Sequence, residues 1–203
     1  MINQPLTLNV FIHEDLSSYS RYKLYETHFS WFSDEIQNLS GRKMTVNMFS
    51  PSEAKTLSDF YYKNISAAVS LDAWKEKLKT HFGALLLDES HTRFNKYLLL
   101  TRNDITSSVL GISQSQGYAG IASTTSDMTP AHETGHMFGA THEDSEILYN
   151  GWWSETIMSA ASSPLRSNAN RFSDKNRENI RNYLNAPIIR KSTPRPDDDN
   201  DWD

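Results

Sequence analysis

Leu6, Leu8, Val10 and Ile12 take every second position near the start of the chain, separated by Thr7, Asn9 and Phe11. Such alternation sends one set of side chains to one side of an extended segment, so the pattern predicts a strand with one well-defined apolar face. The period then changes. Tyr22, Tyr25, Phe29, Phe32, Ile36 and Leu39 step by three and four, which predicts a long amphipathic helix ending near Gly41. Met44, Val46 and Met48 alternate again as a second strand, and residues 51–68 show no clear period. Leu71, Trp74, Leu78 and Phe82 mark another helix, with Ser70 as its N-cap and Gly83 as its stop. Residues 97–100 form a short apolar run suited to a buried strand, and residues 109–112 and 118–122 predict two more strands around glycines. Thr129 and Pro130 then predict the start of a helix, Thr129 capping it and Pro130 in the first turn, where its missing N–H costs nothing. Asp127 beside that end suits the helix dipole. Strand, helix, strand, helix, strand is an α/β order.

Composition narrows the class of molecule. A chain of 203 residues is the length of one domain with one well-filled core, and 37% hydrophobic residues are enough to build it. A net charge of −5 with no cluster of lysine or arginine argues against a nucleic-acid binder. No apolar run approaches the roughly 18 residues needed to span a bilayer. The first residues, Met1-Ile2-Asn3-Gln4-Pro5, lack the charged-then-apolar pattern of a signal peptide. The absence of cysteine fits a reducing compartment but does not require one. From Arg190 the chain turns to Pro194, Pro196 and a run of aspartates, so the organisation expected is a domain over 1–189 and a flexible acidic tail over 190–203.

The chemistry is concentrated in one stretch: His132-Glu133-Thr134-Gly135-His136-Met137-Phe138-Gly139-Ala140-Thr141-His142. Two histidines four residues apart share one helix face and can reach one metal ion. Gly139 lets the chain leave the helix sharply, and His142 returns as a third donor. Three imidazoles with a fourth position open is the donor set of a catalytic zinc site, whereas structural zinc sites are closed by four protein ligands. Three of the chain's seven histidines fall in these eleven residues. His13, His28, His81 and His91 have no spacing that suggests ligation.

The stretch resembles the H-E-x-x-H-x-x-G-x-x-H signature of the metzincin metallopeptidases. Ser154-Glu155-Thr156-Ile157-Met158-Ser159-Ala160 resembles the methionine-containing turn that lies under the metal in that clan. Ala131, the Thr156-to-Ser159 turn and Phe172-Ser173 opening a last helix look most like the reprolysin (adamalysin) branch. Two features depart from it: Glu143 rather than aspartate follows the third histidine, as is more typical of the astacin branch, and there are no disulfides. The astacin branch in turn carries a tyrosine two residues past the turn methionine, where Ala160 stands here.

The resemblance implies a mixed α/β fold: a twisted mixed sheet with an antiparallel edge strand, two long supporting helices, the zinc helix, the methionine turn and a C-terminal helix. It implies one zinc ion on His132, His136 and His142, Glu133 as general base, and Met158 as a packing residue. By position, residues 117–123 match the clan's substrate-binding edge strand, so Gly120, Ile121 and Ala122 are expected at the cleft. Ser159 and Ala160 just past the turn are expected to wall a roomy pocket that Arg166 could narrow. Trp152 and Trp153 are expected in the core rather than in the cleft.

The function implied is a zinc endopeptidase acting on a protein or peptide. The resemblance favours a secreted or delivered bacterial protein and is compatible with a toxin or effector whose carrier, binding subunit or inhibitor is unknown. The alternative is a catalytically silent zinc-containing module that binds a peptide on a protease fold. The intact Glu133 speaks against it, because such proteins commonly lose that carboxylate. A zinc hydrolase of non-peptide amides also fits the motif.

Overall fold

The protein is described by a computed structural model over residues 4–64, 66–149, 151–160 and 165–188; the expected acidic tail lies outside these residues. A five-stranded sheet organises the chain: β1 (Leu6–Ile12), β2 (Met44–Phe49), β3 (Asn95–Thr101), β4 (Gly111–Ser113) and β5 (Ala119–Ser123), in the order β2-β1-β3-β5-β4. β1, β2, β3 and β5 run parallel, and β4 pairs antiparallel with β5 at the edge. The fold class read from the sequence therefore stands, but the edge does not fall where it was expected. Residues 117–123 include β5, which is flanked on both sides. The antiparallel edge is the three-residue β4.

Parallel sheets are covered on both faces, and the alternation along β1 shows it. Leu6, Leu8, Val10 and Ile12 join one core cluster, while Phe11, the intervening residue at the strand's end, joins the other. On the first side lie Phe32, Ile36 and Leu39 of α2 (Ser30–Ser40) with Ile180 and Leu184 of α7 (Asp174–Asn185). On the second lie Leu71, Trp74 and Leu78 of α4 (Ala67–Phe82) against Tyr97, Leu99 and Ile121. Trp74 is fully buried.

Two helix boundaries differ from expectation. The long helix over residues 22–39 is divided into α1 (Arg21–His28) and α2, because Phe29 adopts φ −128° and buries its ring completely. Gly41 closes α2 at φ +65°, a left-handed conformation that glycine adopts without cost. α4 is preceded by Ser66, not Ser70, whose hydroxyl instead donates to the Tyr62 carbonyl at 2.7 Å. The remaining helices are α3 (Lys55–Ser58), α5 (Glu89–Phe94) and α6 (Thr129–Met137). None of the described helices is long and apolar enough to cross a membrane.

α7 is tied to α2 by charge as well as by packing. Arg177 donates through Nε and Nη2 to the two oxygens of Glu35 at 2.9 and 2.5 Å, and Glu35 also accepts from the Phe172 N–H at 2.9 Å. A small second sheet holds β6 (Ile147–Tyr149), β7 (Trp153–Glu155) and β8 (Ser167–Asn168), and Glu155 of β7 and Asn168 of β8 line the molecule's cleft.

Candidate metal centre

α6 begins one residue earlier than its capping pattern suggests. Thr129 is already helical, its N–H bonded to the Ser126 carbonyl at 3.3 Å, and no side chain caps this end. One turn of this helix sets His132 and His136 on the same face, their rings edge-on with centroids 4.9 Å apart. The chain then leaves the helix through Gly139 at φ +92°, a conformation open to glycine, while Ala140 N–H donates back to Gly135 O at 2.9 Å. This turn brings His142 back, and its Nε2 lies 2.8 Å from His132 Nε2 and 3.0 Å from His136 Nε2.

The outer nitrogens settle what the inner ones offer. His132 Nδ1 lies 2.9 Å from Ile157 O, and His136 Nδ1 lies 3.0 Å from Ala140 O. A carbonyl only accepts, so both Nδ1 atoms donate and both Nε2 atoms carry lone pairs aimed at His142 Nε2. His142 can supply one proton to this meeting of three nitrogens. A cation fits that donor set far better than a shared proton does, and carbonyl-oriented imidazoles are the usual support of metal-binding histidines. Burial, with the neighbouring histidines, holds His132 down to about 4, and burial followed by His142 also lowers His136. Both rings are therefore neutral, as ligation requires. Among the described residues these three histidines are the one cluster of at least three potential ligands.

Met158 lies fully buried beneath the helix. A Cβ at Gly135 would come within 2.8 Å of both Met158 Sδ and Phe172 Cε1, so the turn and the segment leading into α7 press directly on α6 there. Sequence reasoning missed Gly135, because nothing in the local pattern reports a close approach across the fold. The turn is locked by Thr156, whose Oγ1 accepts from Glu146 N–H at 2.9 Å, and by Ile157 N–H donating to Arg171 O at 3.0 Å. It thereby delivers the Ile157 carbonyl to His132.

His142 is held from the other side. Thr141 N–H donates to Asn176 Oδ1 at 2.7 Å, and Asp144 accepts from Asn179 Nδ2 at 2.7 Å, so α7 anchors the loop on both sides of the ligand. Asp144 thus performs a structural task one position later than the reprolysin pattern places its aspartate, and Glu143 is left exposed.

Glu133 is 6% exposed. Burial pushes its carboxyl up to about 7, against an opposing hydrogen bond from Ser113 Oγ to Oε2 at 2.7 Å. A cavity of about 830 Å³ opens over the histidines and Glu133, bounded by the 108–113 segment above and by residues of β7, β8 and the methionine turn below.

Ser159 and Ala160 line this cavity, and so does Arg166, paired with buried Glu155 at 3.0 Å. Gly120, Ile121 and Ala122 do not. They are buried inside the sheet, and Val109, Leu110, Gly111, Ile112 and Ser113 take the place expected for them. Trp152 and Trp153 are neither core nor cleft: they are 62% and 52% exposed.

No sequence-family description matches the chain, and no curated protein matches it either. Its shape does have relatives. Metalloproteinase-II from Bacteroides fragilis superposes over 90% of this chain with a TM-score of 0.58 at 18% identity. The chain spans only 53% of that protein. A zinc-dependent peptidase from Methanocorpusculum labreanum (16% identity, 85% of this chain, 99% of that one, TM-score 0.48) is more distant. So is archaemetzincin from Archaeoglobus fulgidus, crystallised with malonate (13% identity, 86% and 99%, TM-score 0.43). At 18% identity the first likeness speaks to fold alone. The chain shares the fold of that metalloproteinase.

Proposed function

We propose that this protein is a zinc-dependent endopeptidase of the metzincin type, with one zinc ion held by His132, His136 and His142. The observation that carries the reading is the convergence of three Nε2 atoms, two of them oriented by backbone carbonyls, beside a buried carboxylate at the base of an open cavity. Zinc, when bound there, supplies a Lewis acid that polarises the scissile carbonyl and lowers the pKa of water from about 15.7 towards about 7.

The protein's own groups do the rest. Glu133 takes the proton of the attacking water on its carboxylate and passes it to the leaving amine. With a divalent cation bound nearby, the raised pKa of Glu133 would fall, towards the ionised form that a base needs. The unpaired outer edge of the half-buried β4 offers main-chain hydrogen bonds to an extended polypeptide, a mode of binding that tolerates many side chains. On this reading residues 1–189 are the catalytic domain and 190–203 an acidic tail, and the likeness of Ala131, the 156–159 turn and Phe172-Ser173 to the reprolysin branch supports kinship with it. A role as a delivered toxin or effector would add a target without altering this chemistry.

Digestion of casein or a proteome-derived peptide mixture by the zinc-loaded protein tests the proposal. Cleavage that a chelator abolishes, and that Glu133→Ala reduces by several orders of magnitude with zinc still bound, is the expected result. Zinc binding with no cleavage of any peptide favours a silent binding module instead.

A further inference from the structure

The short edge strand does more than offer its backbone. Successive residues of a strand face opposite sides. In β4 this sends Ile112 to the second core cluster and turns Gly111 and Ser113 together towards α6. What they face is Glu133. Ser113 Oγ donates to Glu133 Oε2 at 2.7 Å, and among the described residues this carboxylate has no other hydrogen-bond partner. At Gly111, an added Cβ would stand 2.7 Å from Glu133 Cγ, 2.8 Å from Oε1 and 2.8 Å from Thr129 Cγ2. The carboxylate therefore lies in a notch that exists because position 111 has no side chain, with one oxygen against the glycine and the other held by a hydroxyl.

We propose that Gly111 and Ser113 form a positioning cradle for the Glu133 carboxylate, with the Ser113 hydroxyl fixing its rotation so that one oxygen stays free to accept a proton. This rests on the peptidase reading above. A carboxylate on three rotatable bonds loses much of its efficiency as a base when it must be oriented anew at each turnover, and a single neutral donor is enough to remove that freedom. Groups that orient catalytic or metal-binding side chains in this way are commonly worth about 10–100-fold in activity. Because Ser113 acts through Glu133, it is a positioning residue, and its loss should be felt in turnover rather than in substrate binding.

The test uses Ser113→Ala, Ser113→Thr and Gly111→Ala in the zinc-loaded protein, on a peptide that the wild type cleaves. Ser113→Ala is expected to lower kcat about 10-fold with KM little changed, and Ser113→Thr to restore most of it. Gly111→Ala should lower kcat as well, since its methyl group occupies the notch. Zinc affinity of Ser113→Ala should equal that of wild type. A second readout needs no activity: in a double-mutant cycle on the metal-free protein, the unfolding free energies of Ser113→Ala and Glu133→Ala should be non-additive.

Wild-type kcat in Ser113→Ala, a loss confined to KM, or weakened zinc binding would each overturn the cradle. So would strict additivity in the cycle. If the wild type cleaves no peptide, the peptidase reading falls while the unfolding cycle still decides whether the cradle exists.

Discussion

His132 and Glu133 are neighbours in sequence whose surroundings push their protonation in ways that oppose each other. Burial holds His132 from 6.5 down to about 4, whereas burial lifts Glu133 from 4.5 up to about 7. In the metal-free protein, unfolding returns both to their ordinary values. Between pH 6.5 and 4 the unfolded chain binds more protons at position 132, so the stability associated with a neutral His132 is full above 6.5 and is lost as pH falls. Glu133 has the other sign: the folded state binds the extra proton, so its contribution is full below 4.5 and is lost as pH rises through 7. The two slopes offset each other between pH 4.5 and 6.5. Glu133→Gln removes one of them. The metal-free variant is therefore expected to lose stability on acidification through that window more steeply than wild type, measured by urea unfolding at several pH values; parallel profiles would contradict the assignment. At Gly135, where a methyl group would meet Met158 Sδ and Phe172 at 2.8 Å, Gly135→Ala is expected to cost about 1–3 kcal/mol by overpacking. An unchanged melting temperature would show that the turn does not press on α6.

Elements whose signals are local were legible in the sequence, and those set by distant pairing were not. α6 and its exit turn were readable because His132, His136, Gly139 and His142 lie within about three turns' worth of chain, at spacings that helix geometry alone turns into a cluster. β1, β2 and β3 followed from alternation or apolar runs. The order of strands did not, because β5 pairs with β3, and β4 folds back onto its outer side; no local pattern records which of two glycine-flanked strands ends outermost. That is why Gly120, Ile121 and Ala122 were assigned to a cleft that Gly111 and Ser113 in fact border. Ser70 looked like a cap because serine caps helices, but the helix starts earlier and the hydroxyl answers a carbonyl instead. The tie between α2 and α7 also escaped notice, since Glu35 and Arg177 are remote in sequence. Glu35→Ala strands both the Arg177 guanidinium and the Phe172 N–H. Because Arg177 retains partial exposure, a loss of about 2 kcal/mol is expected rather than the larger cost of a fully buried pair. Chemical denaturation of the variant checks this, and a loss near zero would mean that the pair is solvent-screened.

In the whole molecule, the upper sheet and the lower segment meet at one cleft, and each contributes to the same few atoms. The sheet's edge supplies Gly111 and Ser113 to Glu133; the methionine turn supplies the Ile157 carbonyl to His132; α7 anchors the loop bearing His142. Remote parts of the chain thus converge on three ring nitrogens placed close enough together to hold one cation. Titration of zinc into the metal-free protein, followed by calorimetry, tests that most directly. One equivalent should bind, and His132→Ala, His136→Ala and His142→Ala should each weaken binding by orders of magnitude. Failure to bind zinc, or an affinity that survives replacement of any one of the three histidines unchanged, would contradict the account.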